Sequence, residues 1–175
     1  MAPAIETERL RLRPLLQGDA VRLAGLCNDL EVSRWLARVP HPYDPEMAAA
    51  FIAETAAAPA FVRGIDAPGE GGLIGVVGVD GLPRQAQLGY WLGRAYWRRG
   101  YGTEAVRAVV GHVFAATALR KIRAGAFAAN AGSRRILTKL GFHETGRRMA
   151  RSGAVAGEMP HLDLVLERTA WEAVA

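Results

Sequence analysis

Leu10 and Leu12 alternate with Arg9, Arg11 and Arg13, the period of two that marks a strand with one wet face. This strand spans Glu6 to Leu15. Pro14 and the Gln17-Gly18-Asp19 cluster end it, and Asp19 can cap a following helix. Val21, Leu23, Ala24 and Cys27 then recur at helical spacing, and Asn28 to Leu36 continues as a second short helix. Pro40, Pro42 and Pro45 forbid helix across 38–45. Pro45 itself suits the first position of a helix running to about Ala58.

Three strand-like runs follow, Phe61–Asp66, Leu73–Val79 and Gln85–Leu92, separated by Gly- and Pro-bearing turns. That spacing predicts an antiparallel meander. After Arg99, the Gly100-Tyr101-Gly102 step opens a long apolar helix from Thr103 to about Ala118. A strand at Lys121–Phe127, a helix at about Ala131–Leu140 and strands at Phe142–Met149 and Leu162–Glu167 complete the chain. The order β-α-α-β-β-β-α-β-α-β-β, without internal repeat or long linker, predicts one α/β domain over residues 1–175 built on a mixed sheet.

Composition narrows the function classes. The chain has 175 residues, 50% hydrophobic and 22% charged, which excludes wholesale disorder. Its one cysteine, Cys27, excludes a disulfide framework and any Cys-rich zinc site. The histidines at 41, 112, 143 and 161 show no ligand spacing, so no metal is expected, and His112 reads as a residue of the apolar helix. No apolar run reaches the roughly 18 residues of a membrane span, and no signal-peptide pattern is present, so the expected location is cytoplasmic.

Charge is unevenly placed. Residues 1–93 carry 8 basic and 11 acidic side chains, residues 94–151 carry 13 and 2, and residues 152–175 carry 1 and 4. The middle block, net +11, suits nucleic acid, an anionic ligand or a solvated arginine-rich surface. The chain lacks a helix-turn-helix pattern and a run of aromatics interleaved with arginine, so nucleic acid is the weakest of the three.

The sharpest local signal is the strand Gln87-Leu88-Gly89-Tyr90-Trp91-Leu92 followed by Trp97-Arg98-Arg99-Gly100-Tyr101-Gly102-Thr103-Glu104 at a helix start. Two glycines two apart let the backbone curl so that free N–H groups converge, and the helix dipole adds to them. Arg98 and Arg99 supply full charges beside that spot. A Gly-x-Gly step also serves as a plain helix cap, and both readings stay open here. A Walker loop is excluded by the absence of Gly-Lys-Ser/Thr, and a Gly-x-Gly-x-x-Gly loop by Ala105.

These residues resemble the GNAT acetyltransferases, in their RimJ/RimL-type branch. The resemblance runs from Glu6-Thr7-Glu8-Arg9-Leu10-Arg11-Leu12-Arg13-Pro14-Leu15 with Asp19, through Asn28-Asp29-Leu30-Glu31-Val32, Leu88 to Leu92 and Trp97 to Ala105. It ends in Asn130-Ala131-Gly132-Ser133 and Lys139-Leu140-Gly141-Phe142. It implies a GNAT-like fold with a mostly antiparallel central sheet splayed at the acyl-CoA site. It also implies transfer of an acetyl group from acetyl-CoA to a primary amine, on a protein N-terminus or a small molecule.

The family's Gln/Arg-x-x-Gly-x-Gly/Ala pattern falls on Trp97 to Gly102, with Trp97 replacing the Gln or Arg. The backbone amides of Arg98, Arg99, Gly100, Tyr101, Gly102 and Thr103 would then be the main pyrophosphate ligands. The strand through Trp91 and Leu92 would bind the pantetheine arm, and Asn130 would hold that arm from the other side. Leu92 N–H would bond the thioester oxygen as charge builds there, and Ser133 would protonate the leaving thiolate. Asn130 and Ser133 equally suit the N-cap and first turn of a helix.

Trp35, Tyr43 and Tyr90 would line the acceptor side, with Asp29, Glu31, Glu158 and Asp163 as attractors for a cationic amine. Between the last two strands, Met149-Ala150-Arg151-Ser152 carries no acid, and none follows until Glu158. The general base would therefore be Glu158 through water, His143 or a backbone carbonyl, and a non-catalytic acyl-CoA-binding module stays open as the alternative. Many relatives dimerise, which leaves a homodimer open, and no membrane partner is implied.

Overall fold

The computed structural model describes residues 4–57 and 60–173; Ala58, the expected end of one helix, lies outside them. Along the chain run β1 (Ile5–Glu6), β2 (Arg11–Arg13), α1 (Ala20–Cys27), α2 (Leu30–Ser33), α3 (Pro45–Ala57), β3 (Phe61–Ala67), β4 (Gly72–Asp80) and β5 (Gln87–Leu92). Then follow α4 (Tyr101–Ala116), β6 (Lys121–Phe127), α5 (Ala131–Lys139), β7 (His143–Arg151), β8 (Glu158–Glu167) and α6 (Arg168–Glu172). The eight strands form one sheet in the order β1-β2-β3-β4-β5-β6-β8-β7. Every neighbouring pair is antiparallel except β5 with β6. Among the described residues, no helix is long and apolar enough to cross a membrane.

The main core lies between the sheet and α4. Val106, Val109, Val110, Val113 and Phe114 recur at three- and four-residue spacing and are all buried, against Val77, Leu88, Ile122 and Leu166 of the sheet. On the opposite face α1 and α3 pack Leu23, Ala24, Cys27, Ala48 and Ile52 over Leu73 and Val76. Each fully buried branched aliphatic side chain contributes about 1.5–3 kcal/mol relative to exposure.

The structure departs from the sequence-based expectation in four places. The first strand is two short strands joined by a tight turn in which Thr7 N–H donates to Leu10 O. Asp19 does not cap α1. Its carboxylate instead accepts from Arg13 (2.7 and 2.8 Å) and from Leu16 N–H (2.7 Å), since a full cation outcompetes a helix amide for it. The last strand begins at Glu158 rather than Leu162, because its pairing with β7 carries the ladder outward through Arg151↔Glu158. Finally, Arg168–Glu172 closes the chain as a short helix whose Trp171 packs beside Phe114.

Arg13 ties the first hairpin to the rest of the sheet. It bridges Asp19 and, at 2.5 Å, Asp66 on β3, with both carboxylates largely shielded. Burial works against ionisation of Asp19, but Arg13 and Leu16 N–H overcome it and hold the carboxyl below its ordinary range. Arg13→Met leaves two facing carboxylates without their cation, so urea unfolding of the variant should show a loss of about 2 kcal/mol. A group with a depressed folded pKa contributes its stability above the unfolded value and loses it as pH falls. The wild-type and variant midpoints should therefore converge on acidification below roughly pH 4.

Candidate active site

The only parallel strand pair in the described sheet is short. β5 and β6 pair at Gln87↔Arg123 and Leu88↔Ala124 and nowhere beyond. Gly93 N–H donates to Ile74 O at 2.9 Å, so by the alternation of an antiparallel ladder residues 89, 91 and 93 spend their backbone groups on β4. Tyr90 and Leu92 turn theirs toward the opening. Leu92 O is taken by Trp97 Nε1, which donates at 2.8 Å. The residue that replaces the family's Gln or Arg thus braces the strand from the loop. Leu92 N–H and both backbone groups of Tyr90 are left at the opening.

The loop that follows reverses into α4 through two residues in the left-handed region, Arg98 at φ 60° and Gly100 at φ 84°. Glycine accepts that conformation without strain; a Cβ at 100 would also stand 3.0 Å from Arg9 Nη2. Among the described residues, none of the backbone N–H groups of 98–103 donates to a protein acceptor. Six free amides at the N-terminus of a 16-residue helix make an anion-binding cradle.

Of the two arginines expected there, Arg98 is exposed and Arg99 is engaged. Arg99 binds Glu70 through both terminal nitrogens, one at 2.9 Å, and Tyr101 donates to the same carboxylate at 3.0 Å. Arg99 and Tyr101 hold the Glu70 carboxyl below its ordinary range. Arg9 lies over the Tyr101 ring and donates to Arg99 O (3.0 Å) and Glu104 Oε2 (2.8 Å). Sequence reasoning missed Glu70 because it lies 29 positions from Arg99, on the turn between β3 and β4.

Ser133 lies in the first turn of α5, and Asn130 is the helix N-cap, accepting from Ser133 N–H at 3.1 Å. The Ser133 hydroxyl is 2.9 Å from the Tyr90 hydroxyl, which also reaches Ser133 O at 3.2 Å. Burial pushes the Tyr90 phenol up to about 12, against the Ser133 hydrogen bond. Tyr90 therefore stands with Ser133. The signal was in the strand's parity, since Tyr90 shares a side with the buried Leu88 and Leu92.

The other face of the opening is built from the α2 segment and the last hairpin. Trp35 packs on Phe127 (centroids 6.3 Å apart), and Phe127 meets His161 edge-on at 5.2 Å. The β7–β8 turn docks on this segment: Ser152 Oγ and Gly153 N–H both donate to Leu36 O, at 3.3 and 3.0 Å. Trp91 points to this side. Tyr43 is buried in the same cluster, among α1 and α3, with its phenol pushed up to about 12 by burial. The four acidic attractors each have an arginine within 4 Å: Arg94 for Asp29 (3.9 Å), Arg34 for Glu31 (3.2 Å), Arg151 for Glu158 (3.7 Å) and Arg148 for Asp163 (3.1 Å).

An anion cradle at a helix start thus lies beside two parallel strands that part over free backbone groups. Residues 9–143 match the family model described as acetyltransferase (GNAT) domain, and the chain belongs to the GNAT acetyltransferases. It is similar to "Uncharacterized N-acetyltransferase YoaA" of Bacillus subtilis, with 33% identity covering 83% of this chain and 86% of that one. It is also similar to "Putative ribosomal N-acetyltransferase YdaF" of the same organism, with 30% identity covering 94% of each. Among solved structures, Mycobacterium smegmatis RimJ in complex with CoA-disulfide superposes with a TM-score of 0.79 at 20% identity, covering 91% of this chain and 82% of that one. The protein is thus an acetyl-CoA-dependent N-acetyltransferase.

Glu70 places a negative charge beside the anion cradle and holds Arg99 to itself. Glu70→Gln should tighten CoA binding several-fold in calorimetry at low salt, with the gain shrinking as salt rises.

Proposed function

We propose that this enzyme acetylates a protein N-terminal amine by direct attack in a ternary complex. The observation that carries the mechanism is the opening between β5 and β6, whose unspent backbone groups adjoin the six free amides of residues 98–103. Those amides hold the pyrophosphate, with Arg98 beside them. Tyr90 bonds the pantetheine arm with its backbone, and Trp91, Leu92 and Asn130 flank it. Leu92 N–H donates to the thioester oxygen as charge develops on it, a preorganised donor. Ser133, held by Tyr90, gives its proton to the departing thiolate. Binding both reactants together supplies up to about 7–11 kcal/mol of the barrier reduction.

The acceptor class follows from charge. A polyamine or aminoglycoside carries several cations and needs unpaired carboxylates. Asp29, Glu31, Glu158 and Asp163 are each matched by an arginine. An α-amine, with pKa about 7.7–8.0, reaches the site partly neutral and asks for no such field. The likeness to the ribosomal N-acetyltransferase of B. subtilis supports the same choice.

A mass-spectrometric screen of peptides beginning with Ala or Ser against polyamines and aminoglycosides tests the acceptor. Peptide N-termini should be acetylated at the higher kcat/KM, and preference for a polycation would reject this reading. Ser133→Ala should lower kcat roughly 10²-fold with CoA affinity unchanged. Tyr90→Phe should lower it by a smaller factor, about tenfold.

A further inference from the structure

We propose that His161 is the general base of the transfer, taking through Nε2 the proton shed by the acceptor amine, with Asp163 and Arg148 as positioning residues. The inference rests on the amine-acetyltransferase reading above. Register puts His161 at the right level. β8 pairs Phe127↔His161 and Gly125↔Asp163 with β6, and residues 125–127 are where β6 has parted from β5. The side is also right, since His161 meets Phe127 edge-on and Phe127 packs on Trp35 from the acceptor segment.

Glycine at 125 makes the reach feasible. A Cβ there would lie 2.8 Å from His161 Nε2 and closer still to Cε1, so the imidazole extends over the bare β6 backbone from the β8 side toward the opening. Both ring nitrogens are unspent. Nδ1 is buried without a hydrogen-bond partner, with Asp163 Oδ1 3.4 Å away, and among the described residues none bonds Nε2. A histidine kept only for packing satisfies its buried nitrogens. Here the neighbouring carboxylate sits where it can fix the ring's tautomer when Nδ1–H turns to it, leaving Nε2 as the acceptor.

The ring's surroundings keep it neutral. Burial and the Arg148 guanidinium, which faces it from β7, push the imidazolium pKa below the ordinary histidine value, and Asp163 on β8 opposes them. β6 presents only Phe127 and Gly125 to it. The other candidate bases stand elsewhere. Glu158 is exposed toward the hairpin tip beside Arg151. His143 pairs with Val165, at the level of Arg123 and Gln87, where β5 and β6 are still joined.

The step balances. The amine lone pair forms the C–N bond, its N–H proton passes to His161 Nε2, and the C–S bond breaks with the electron pair leaving on sulfur. The thiolate takes the Ser133 proton, and solvent carries the imidazolium proton back to the serine oxygen.

The test is the pH profile of kcat/KM for two acceptors of different amine pKa, on the full chain, for wild type, His161→Gln, Asp163→Asn and Gly125→Ala. Wild type should show an acid limb that does not move with the acceptor. His161→Gln should lose that limb and roughly 10²-fold in kcat/KM while binding CoA as before. Asp163→Asn should shift the limb to lower pH, as the imidazolium loses its carboxylate. Gly125→Ala, which displaces the ring, should lower kcat/KM with His161 intact and decides the matter if His161→Gln does not fold. Wild-type kcat/KM and an unchanged limb in His161→Gln, or in Gly125→Ala where that variant decides, would overturn the proposal. Absence of acetylation of any amine by wild type would instead reject the reading beneath it.

Discussion

Two parallel strands that stay paired for only two residue pairs set the terms for everything else in this protein. Backbone N–H and C=O groups buried in a sheet must find partners. Past Leu88 and Ala124, β5 and β6 no longer supply them to each other. A long helix follows β5 through a loop whose six amides are equally unspent. The enzyme therefore carries a continuous line of unmet donors and acceptors, from the strand edge into the helix start. In the proposed complex, an extended co-substrate with amide groups along its length and a pyrophosphate at its end completes that line. Trp97 shows the same accounting, since its indole covers the one carbonyl, Leu92 O, that the opening leaves next to the loop.

The charge distribution acquires a different meaning in three dimensions. The basic block of residues 94–151 and its acidic flanks are partners rather than separate fields. Arg94 meets Asp29, Arg99 meets Glu70, Arg148 meets Asp163 and Arg151 meets Glu158. Exposed pairs of this kind contribute little to stability. Their effect is to flatten the local potential on the acceptor side while the helix start, built from backbone dipoles, keeps its pull on an anion.

Much of the architecture was legible in the chain because it is written locally. Period-two alternation in the meander, the apolar stripe of α4 and the proline run before α3 are contacts within a few residues of one another. The glycine-bearing loop, Asn130 and Ser133 were legible for the same reason. Errors arose where a distant partner decided the outcome. Asp19 caps nothing because Arg13 and Leu16 claim it. β8 begins four residues early because β7 pairs with it there, and that extension brings His161 opposite Phe127.

The sequence by itself determined the order of elements, the glycine-bearing helix start and the Asn130 cap that sets Ser133 in the first turn of α5, since each depends on spacing along one stretch of backbone. Only the tertiary structure decided which carboxylate holds Arg99, that the Tyr90 hydroxyl serves Ser133, and that an imidazole lies over Gly125. Those are meetings between residues 29 to 43 positions apart. No local preference encodes them, because sheet register and the parting of β5 from β6 exist only once the whole sheet has formed.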